Sequence, residues 1–145
     1  MSNGLAMAVL VPVLLASCGG KEKPGAAKQK YIVQSDAICR DFLGQVSSAG
    51  STQDQPTAQK LADVYQGWSD RLRGLQMPTE SIEQARQFVT QVENIGLGYS
   101  AAFQALAVND QARATKSFGE VATVKKQAAA TAKEYGYTDC QRIGG

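Results

Sequence analysis

The sequence predicts an all-α fold, an antiparallel up-down-up-down four-helix bundle, and three observations carry that reading. Apolar residues recur at alternating steps of three and four along four successive stretches, the spacing that lines one face of a helix. The breaks between stretches are short and rich in Gly, Ser, Asn, Asp or Pro, and short connections make consecutive helices antiparallel neighbours. Finally, Cys39 lies in the first stretch and Cys140 just beyond the fourth, where such a bundle brings the two ends of the chain together.

The first helix is expected from Tyr31 to Ser48. Ile38, Cys39, Phe42 and Val46 form its inner face, while Asp36, Arg40, Asp41 and Gln45 occupy the others. Ala49 to Pro56 reads as a loop. The second helix starts near Thr57 and ends at Gly74-Leu75, with Ala58, Leu61, Tyr65, Trp68, Leu72 and Leu75 in one coiled-coil-like seam. Trp68 reads as a core anchor, with a ligand platform as the alternative, and Gly67 leaves room for a neighbouring backbone.

Pro78-Thr79-Glu80 opens the third helix, with Thr79 as the N-cap and Ile82 as the first buried residue. Ala85, Val89, Val92, Gly96, Tyr99, Phe103 and Leu106 continue the row to about Val108, widened by Phe88, Ile95 and Ala102. Gly96 and Gly98 each weaken a helix interior by about 1 kcal/mol relative to alanine. They indicate either close helix packing or a kink lining a pocket beside Tyr99. Asn109-Asp110 ends this helix and caps a fourth that runs to Tyr135. Its stripe is lighter, built from Ala114, Phe118, Val121, Ala128, Ala132 and Tyr135, and Lys125 interrupts it. Gly136 is placed to be a C-cap, letting Tyr137 fold back onto the last turn.

Ahead of the bundle, residues 5–16 are apolar and end in Leu15-Ala16-Ser17-Cys18, before the first charged residue, Lys21. A run of this length matches a signal-peptide h-region and falls short of the roughly 18 to 20 residues that span a bilayer. The tetrad resembles the lipobox of bacterial lipoproteins, which implies cleavage before Cys18 and attachment of lipid to it. The alternative is a free cysteine after an ordinary export signal. One feature departs from the pattern: Met1-Ser2-Asn3-Gly4 lacks the usual Lys or Arg. Either translation starts upstream or the amino terminus supplies the charge. The resemblance divides the chain into a signal peptide (1–17), a lipidated cysteine with a flexible tether (18–30) and the helical domain (31–145). The tether carries four lysines against Glu22, while 31–145 holds 11 basic and 12 acidic residues. A body so close to neutral, with no basic cluster, gives no electrostatic basis for binding nucleic acid.

With Cys18 committed to lipid, two cysteines remain, and in an oxidising compartment Cys39 and Cys140 admit one pairing. Closing a loop of about 100 residues stabilises by roughly 4 to 5 kcal/mol in the chain-entropy account. A redox or metal-binding pair is the alternative reading, without a Cys-x-x-Cys or any histidine to support it.

Tyr31-Ile32-Val33-Gln34-Ser35-Asp36-Ala37-Ile38-Cys39 and Gly136-Tyr137-Thr138-Asp139-Cys140 resemble the opening and closing phrases of a group of small actinobacterial secreted lipoproteins. Ser35 departs from the alanine of that opening phrase, and the middle of the chain has no matching phrase. The resemblance implies an exported helical domain tied by its terminal cysteines, and it implies no reaction.

The residue inventory narrows the chemistry. The absence of histidine removes the commonest general base and metal ligand. There is no Gly-x-Ser-x-Gly elbow, Gly-rich phosphate loop or Ser-x-x-Lys motif. Glu80 with Glu83, and Asp63 with Asp70, share helix faces and read as solvated surface. No catalytic residue, metal site or cofactor is expected. The expectation is a non-enzymatic binding or interaction module on the extracytoplasmic face of the membrane, anchored through Cys18. Its partner would be an envelope protein or a small apolar ligand held between helices. The alternative is a structural or protective envelope component, such as a superinfection-exclusion lipoprotein.

Overall fold

A computed structural model describes residues 25–145; the leader, Cys18 and most of the tether lie outside the described residues. Four helices, α1 (Ala26–Ala49), α2 (Gln55–Arg73), α3 (Ile82–Ala107) and α4 (Gln111–Tyr135), run alternately up and down, and a 3₁₀ helix, Cys140–Gly144, ends the chain. Helix α1 begins five residues before the expected Tyr31. Ala26-Ala27-Lys28-Gln29-Lys30 are all good helix formers, and Gly25, with φ at 82°, makes the turn into them. Those five residues, expected to belong to the tether, therefore extend the first helix.

The remaining boundaries follow from local chemistry. The Asp54 carboxylate accepts the Thr57 N–H at 2.8 Å, so α2 starts at Gln55, two residues ahead of the expected Thr57. Thr79 does not cap α3. It begins a 3₁₀ turn, Thr79–Ser81, after which Ile82 opens the helix. The Ser81 hydroxyl meets that of Tyr135 at 2.9 Å, tying this turn to the end of α4. Asp110 caps α4 as expected, accepting the Arg113 N–H at 3.0 Å. At the other end Gly136, with φ at 103°, closes a Schellman turn: its N–H reaches the Lys133 carbonyl and that of Tyr137 the Ala132 carbonyl.

The core lies where the periodic rows converge. Tyr65, Trp68, Leu72, Phe88, Val92 and Ile95 are fully buried, and Trp68, with no exposed surface, is a core anchor. A row of rings crosses the bundle from α1 to α4. Phe42 stacks on Trp68 at 5.8 Å, Trp68 on Tyr65 at 5.5 Å and Tyr65 on Tyr99 at 5.6 Å, and Tyr99 meets the edge of Phe118 at 6.3 Å. A Cβ on Gly67 would lie 3.6 Å from the Phe42 ring, so a side chain fills the space expected for a neighbouring backbone.

Gly96 and Gly98 both serve close packing, within a continuous helix. A Cβ on Gly96 would lie 3.2 to 3.4 Å from Tyr65, Gln66 and Ala62 of α2; one on Gly98 would come within 2.5 Å of the Val121 methyl of α4. Helix α3 is thereby drawn onto both neighbours, and its contacts with α2 and α4 are the most extensive in the fold. Helix α1 is held differently. It packs on α2 and on the C-terminal 3₁₀ helix, and meets α4 through long side chains, Tyr31 against Tyr135 and Lys28 over the Tyr135 ring.

Candidate ligand-binding groove

The C-terminal segment determines which part of the α1–α4 seam stays open. Cys39 and Cys140 are joined by a disulfide, their Cα atoms 5.0 Å apart. Three residues earlier on α1, the buried Asp36 carboxylate accepts the N–H groups of Thr138, Asp139 and Cys140 at 2.9 to 3.1 Å. One turn after Asp36, Arg40 pairs with the Asp139 carboxylate at 2.7 Å. From that point the 3₁₀ helix runs back along α4, burying Ile143 and bringing Gly144 against Ala129 and Lys125. It fills the seam as far as Gly145.

Asp36 was expected on an outer face. It is buried because three backbone N–H groups, left without helical partners after Gly136, need an acceptor. A carboxylate that accepts several such bonds is a stable interior group. Its neighbours Tyr31, Tyr135, Tyr137 and Phe88 form a second aromatic cluster, with ring centroids 4.7 to 6.4 Å apart.

Beyond Gly145 the seam opens into a groove of about 470 Å³ at the end of the bundle that carries the α1–α2 connection. Its floor is apolar: Leu61 from α2, Tyr99 from α3, and Phe118 and Val121 from α4, with Val46 of α1 on one wall. Its rim is polar, formed by Ser47 and the loop residues Ser51, Thr52 and Gln53. Lys125, from α4, is its one charged side chain, and Gly145, the last residue of the sequence, lines it as well. Lys125 is half-buried, burial pushes its ammonium below the ordinary lysine value, and it forms no ion pair among the described residues. Asp54 lies close by in sequence, but its carboxylate is engaged by the Thr57 N–H and the Thr52 hydroxyl.

Of the residues singled out from sequence, the structure brings Tyr99, Phe118, Val121, Val46 and Lys125 together here. Lys125 carried a signal, since it breaks an otherwise apolar row. The rim residues had none beyond loop composition. The acidic pairs do not converge on the groove: Asp70 pairs with the exposed Arg73, and Glu83 with the exposed Arg86. The Ser69 hydroxyl is buried, donating to the Gln66 carbonyl at 2.9 Å within its own helix. Among the described residues no three His, Cys, Asp or Glu side chains gather as a metal site would require. No helix among them is long and apolar enough to cross a membrane. No known protein family, curated protein or solved structure matches the chain.

Proposed function

We propose that this protein is a non-enzymatic binding module, anchored to the extracytoplasmic face of a bacterial membrane by lipid on Cys18, and that it takes a small ligand in the groove between α1 and α4. The groove is the observation that carries the binding half. Its volume lies within the range of small-molecule sites, and it combines an apolar floor with a few converging polar groups, as such sites do. The anchoring half rests on Leu15-Ala16-Ser17-Cys18 and is supported by a disulfide of the kind that persists in oxidising compartments. The reading as a non-enzyme rests on the residue inventory of the chain, which lacks histidine and every nucleophile motif considered above.

The placement of the groove fits a tethered receptor. Val46 is 21 residues along α1 from Gly25, about 32 Å at the helical rise, so the groove opens at the end away from the tether. A ligand arriving from outside would reach it without passing the membrane surface.

Two measurements test the two halves. Expression in a bacterium with labelled fatty acid should mark the wild-type protein and leave Cys18→Ser unmarked; equal labelling refutes the anchor. Native mass spectrometry of the purified full chain should show a bound small molecule that is lost from a variant with Leu61→Trp, which fills the groove floor. Retention by that variant refutes the site.

A further inference from the structure

We infer that the face of the bundle along α1, the C-terminal 3₁₀ helix and α4 is a docking surface for an acidic segment of a partner protein, one that carries an apolar side chain among its carboxylates. This goes beyond the groove and does not depend on it. Lys28, Arg40, Lys126, Lys133 and Arg142 are scattered through the sequence, and the fold gathers them on this one face. The Lys28 ammonium stands 4.5 Å over the Tyr135 ring. Arg40 and Arg142 both reach the Asp139 carboxylate, at 2.7 and 3.7 Å, while their side chains stay 71% and 68% exposed. A Cβ on Gly144 would lie 4.0 Å from the Lys126 Cα, and Lys133, two turns further on, shares that side of α4. Two acids belong to the same face: Asp36, buried and engaged by three N–H groups, and Asp139, held between the two arginines. The strip therefore carries a net charge of +3. Apart from Lys125, which shares the groove with Gly145, the remaining described residues hold 7 basic and 10 acidic side chains. A domain close to neutral as a whole is thus polarised, with one face that attracts anions.

Shape and composition decide the kind of anion. From Lys28 to Arg40 the strip is about 18 Å long, the reach of about six extended residues. It is also narrow. Asp41 borders it toward α2, where it pairs with Arg71, and Glu134 borders it toward α3, where it lies with Gln87 and Gln91. A chain laid along the seam meets the cations and avoids these acids, whereas a broad anionic plane meets both. Between Lys28 and Arg40 stands an apolar spot. Val33, seven residues before Arg40 and on the same side of α1, is 61% exposed, and its neighbour Ile32 is half-buried against Gly136. A polypeptide can place an aliphatic or aromatic side chain there with carboxylates on either side, and an anionic polymer without apolar groups cannot.

The full chain, purified in an uncharged detergent, is titrated into a fluorescein-labelled peptide of glutamates flanking a central leucine while anisotropy is followed. Binding should saturate at low salt and weaken as added salt shortens the Debye length below about 8 Å. Lys126→Glu with Lys133→Glu should weaken it about tenfold. Lys60→Glu with Lys116→Glu, the same change of charge at exposed positions away from the strip, should leave it within about twofold of wild type. Val33→Ser should weaken the leucine peptide and leave an all-glutamate peptide unchanged. Far-UV circular dichroism establishes that every variant is folded. A peptide that does not saturate overturns the proposal, and equal weakening by the two lysine pairs overturns it as well, because the attraction would then be to net charge and not to this face. If the peptide fails while phosphatidylglycerol vesicles holding the protein shield Lys126 and Lys133 from acetylation, the strip faces the membrane and the partner segment is refuted.

Discussion

Replacing Asp36 by alanine should be among the most destabilising single changes in this protein, and the magnitude follows from where its three donors lie. The carboxylate accepts the N–H groups of Thr138, Asp139 and Cys140. Without it, water can reach the N–H groups of the exposed Thr138 and the half-buried Asp139, for about 0.5 to 1 kcal/mol each. The Cys140 N–H is buried and has no such recourse, so leaving it unpaired costs about 2 kcal/mol. The sum, about 3 to 4 kcal/mol, is a large share of the roughly 5 to 15 kcal/mol that holds a domain folded. Asp36→Asn keeps one oxygen and should cost about 1 to 2 kcal/mol. Urea unfolding of the oxidised chain by far-UV circular dichroism measures both. The same substitution should cost less in the reduced chain: with the disulfide open, the segment after α4 can leave Asp36's site and hydrate its own N–H groups. An alanine variant within about 0.5 kcal/mol of wild type, or an asparagine variant as unstable as the alanine, would refute this account.

Two further outcomes follow. Gly98→Ala forces a Cβ to within 2.5 Å of the Val121 methyl, and overpacking should outweigh the helix-propensity gain to leave a net loss of about 1 kcal/mol; Gly119→Ala, open on all sides, should stabilise by about 0.5 to 1 kcal/mol. Urea midpoints moving the same way for both would show that α3 and α4 do not approach as closely as described. All five tyrosines are raised above the ordinary tyrosine pKa, each chiefly by burial, with Tyr65 and Tyr137 displaced the most. An acid raised in the folded state lends stability that is complete below its unfolded value near pH 10 and is lost as pH climbs through the folded one. Absorbance at 295 nm should therefore rise in one step with loss of helix, and several tyrosines titrating near pH 10 in a chain still helical would contradict the burial.

Much of the architecture could be read along the chain because burial here follows helical period. Leu61, Tyr65, Trp68 and Leu72 form one row in the sequence and one buried row in the fold, and the link between Cys39 and Cys140 fits the same antiparallel order. What escaped was set by partners distant in sequence. Asp36 looks like a surface acid until donors more than 100 residues later come to rest on it. The helical start at Ala26 was hidden behind Gly25, which makes the turn into the helix rather than excluding it. The groove was partly legible, through Tyr99 beside two glycines and Lys125 among apolar residues. Its location was not, because it is the length of seam left over once the C-terminal 3₁₀ helix has been laid down, and periodicity gives no measure of that length.

That arrangement has a consequence for biogenesis. The hairpins formed by α2 with α3 and by α3 with α4 rest on contacts between neighbours in sequence, and these form early on a growing chain. Helix α1 packs chiefly on α2 and is held in addition by the segment that follows α4. A ribosome-bound or truncated product would hold three assembled helices and one loosely attached, with the seam unsealed along its whole length. The sulfur bridge thus records docking of that segment on α1, so oxidation state in a pulse-labelled sample distinguishes molecules in which the seam has closed from those still open.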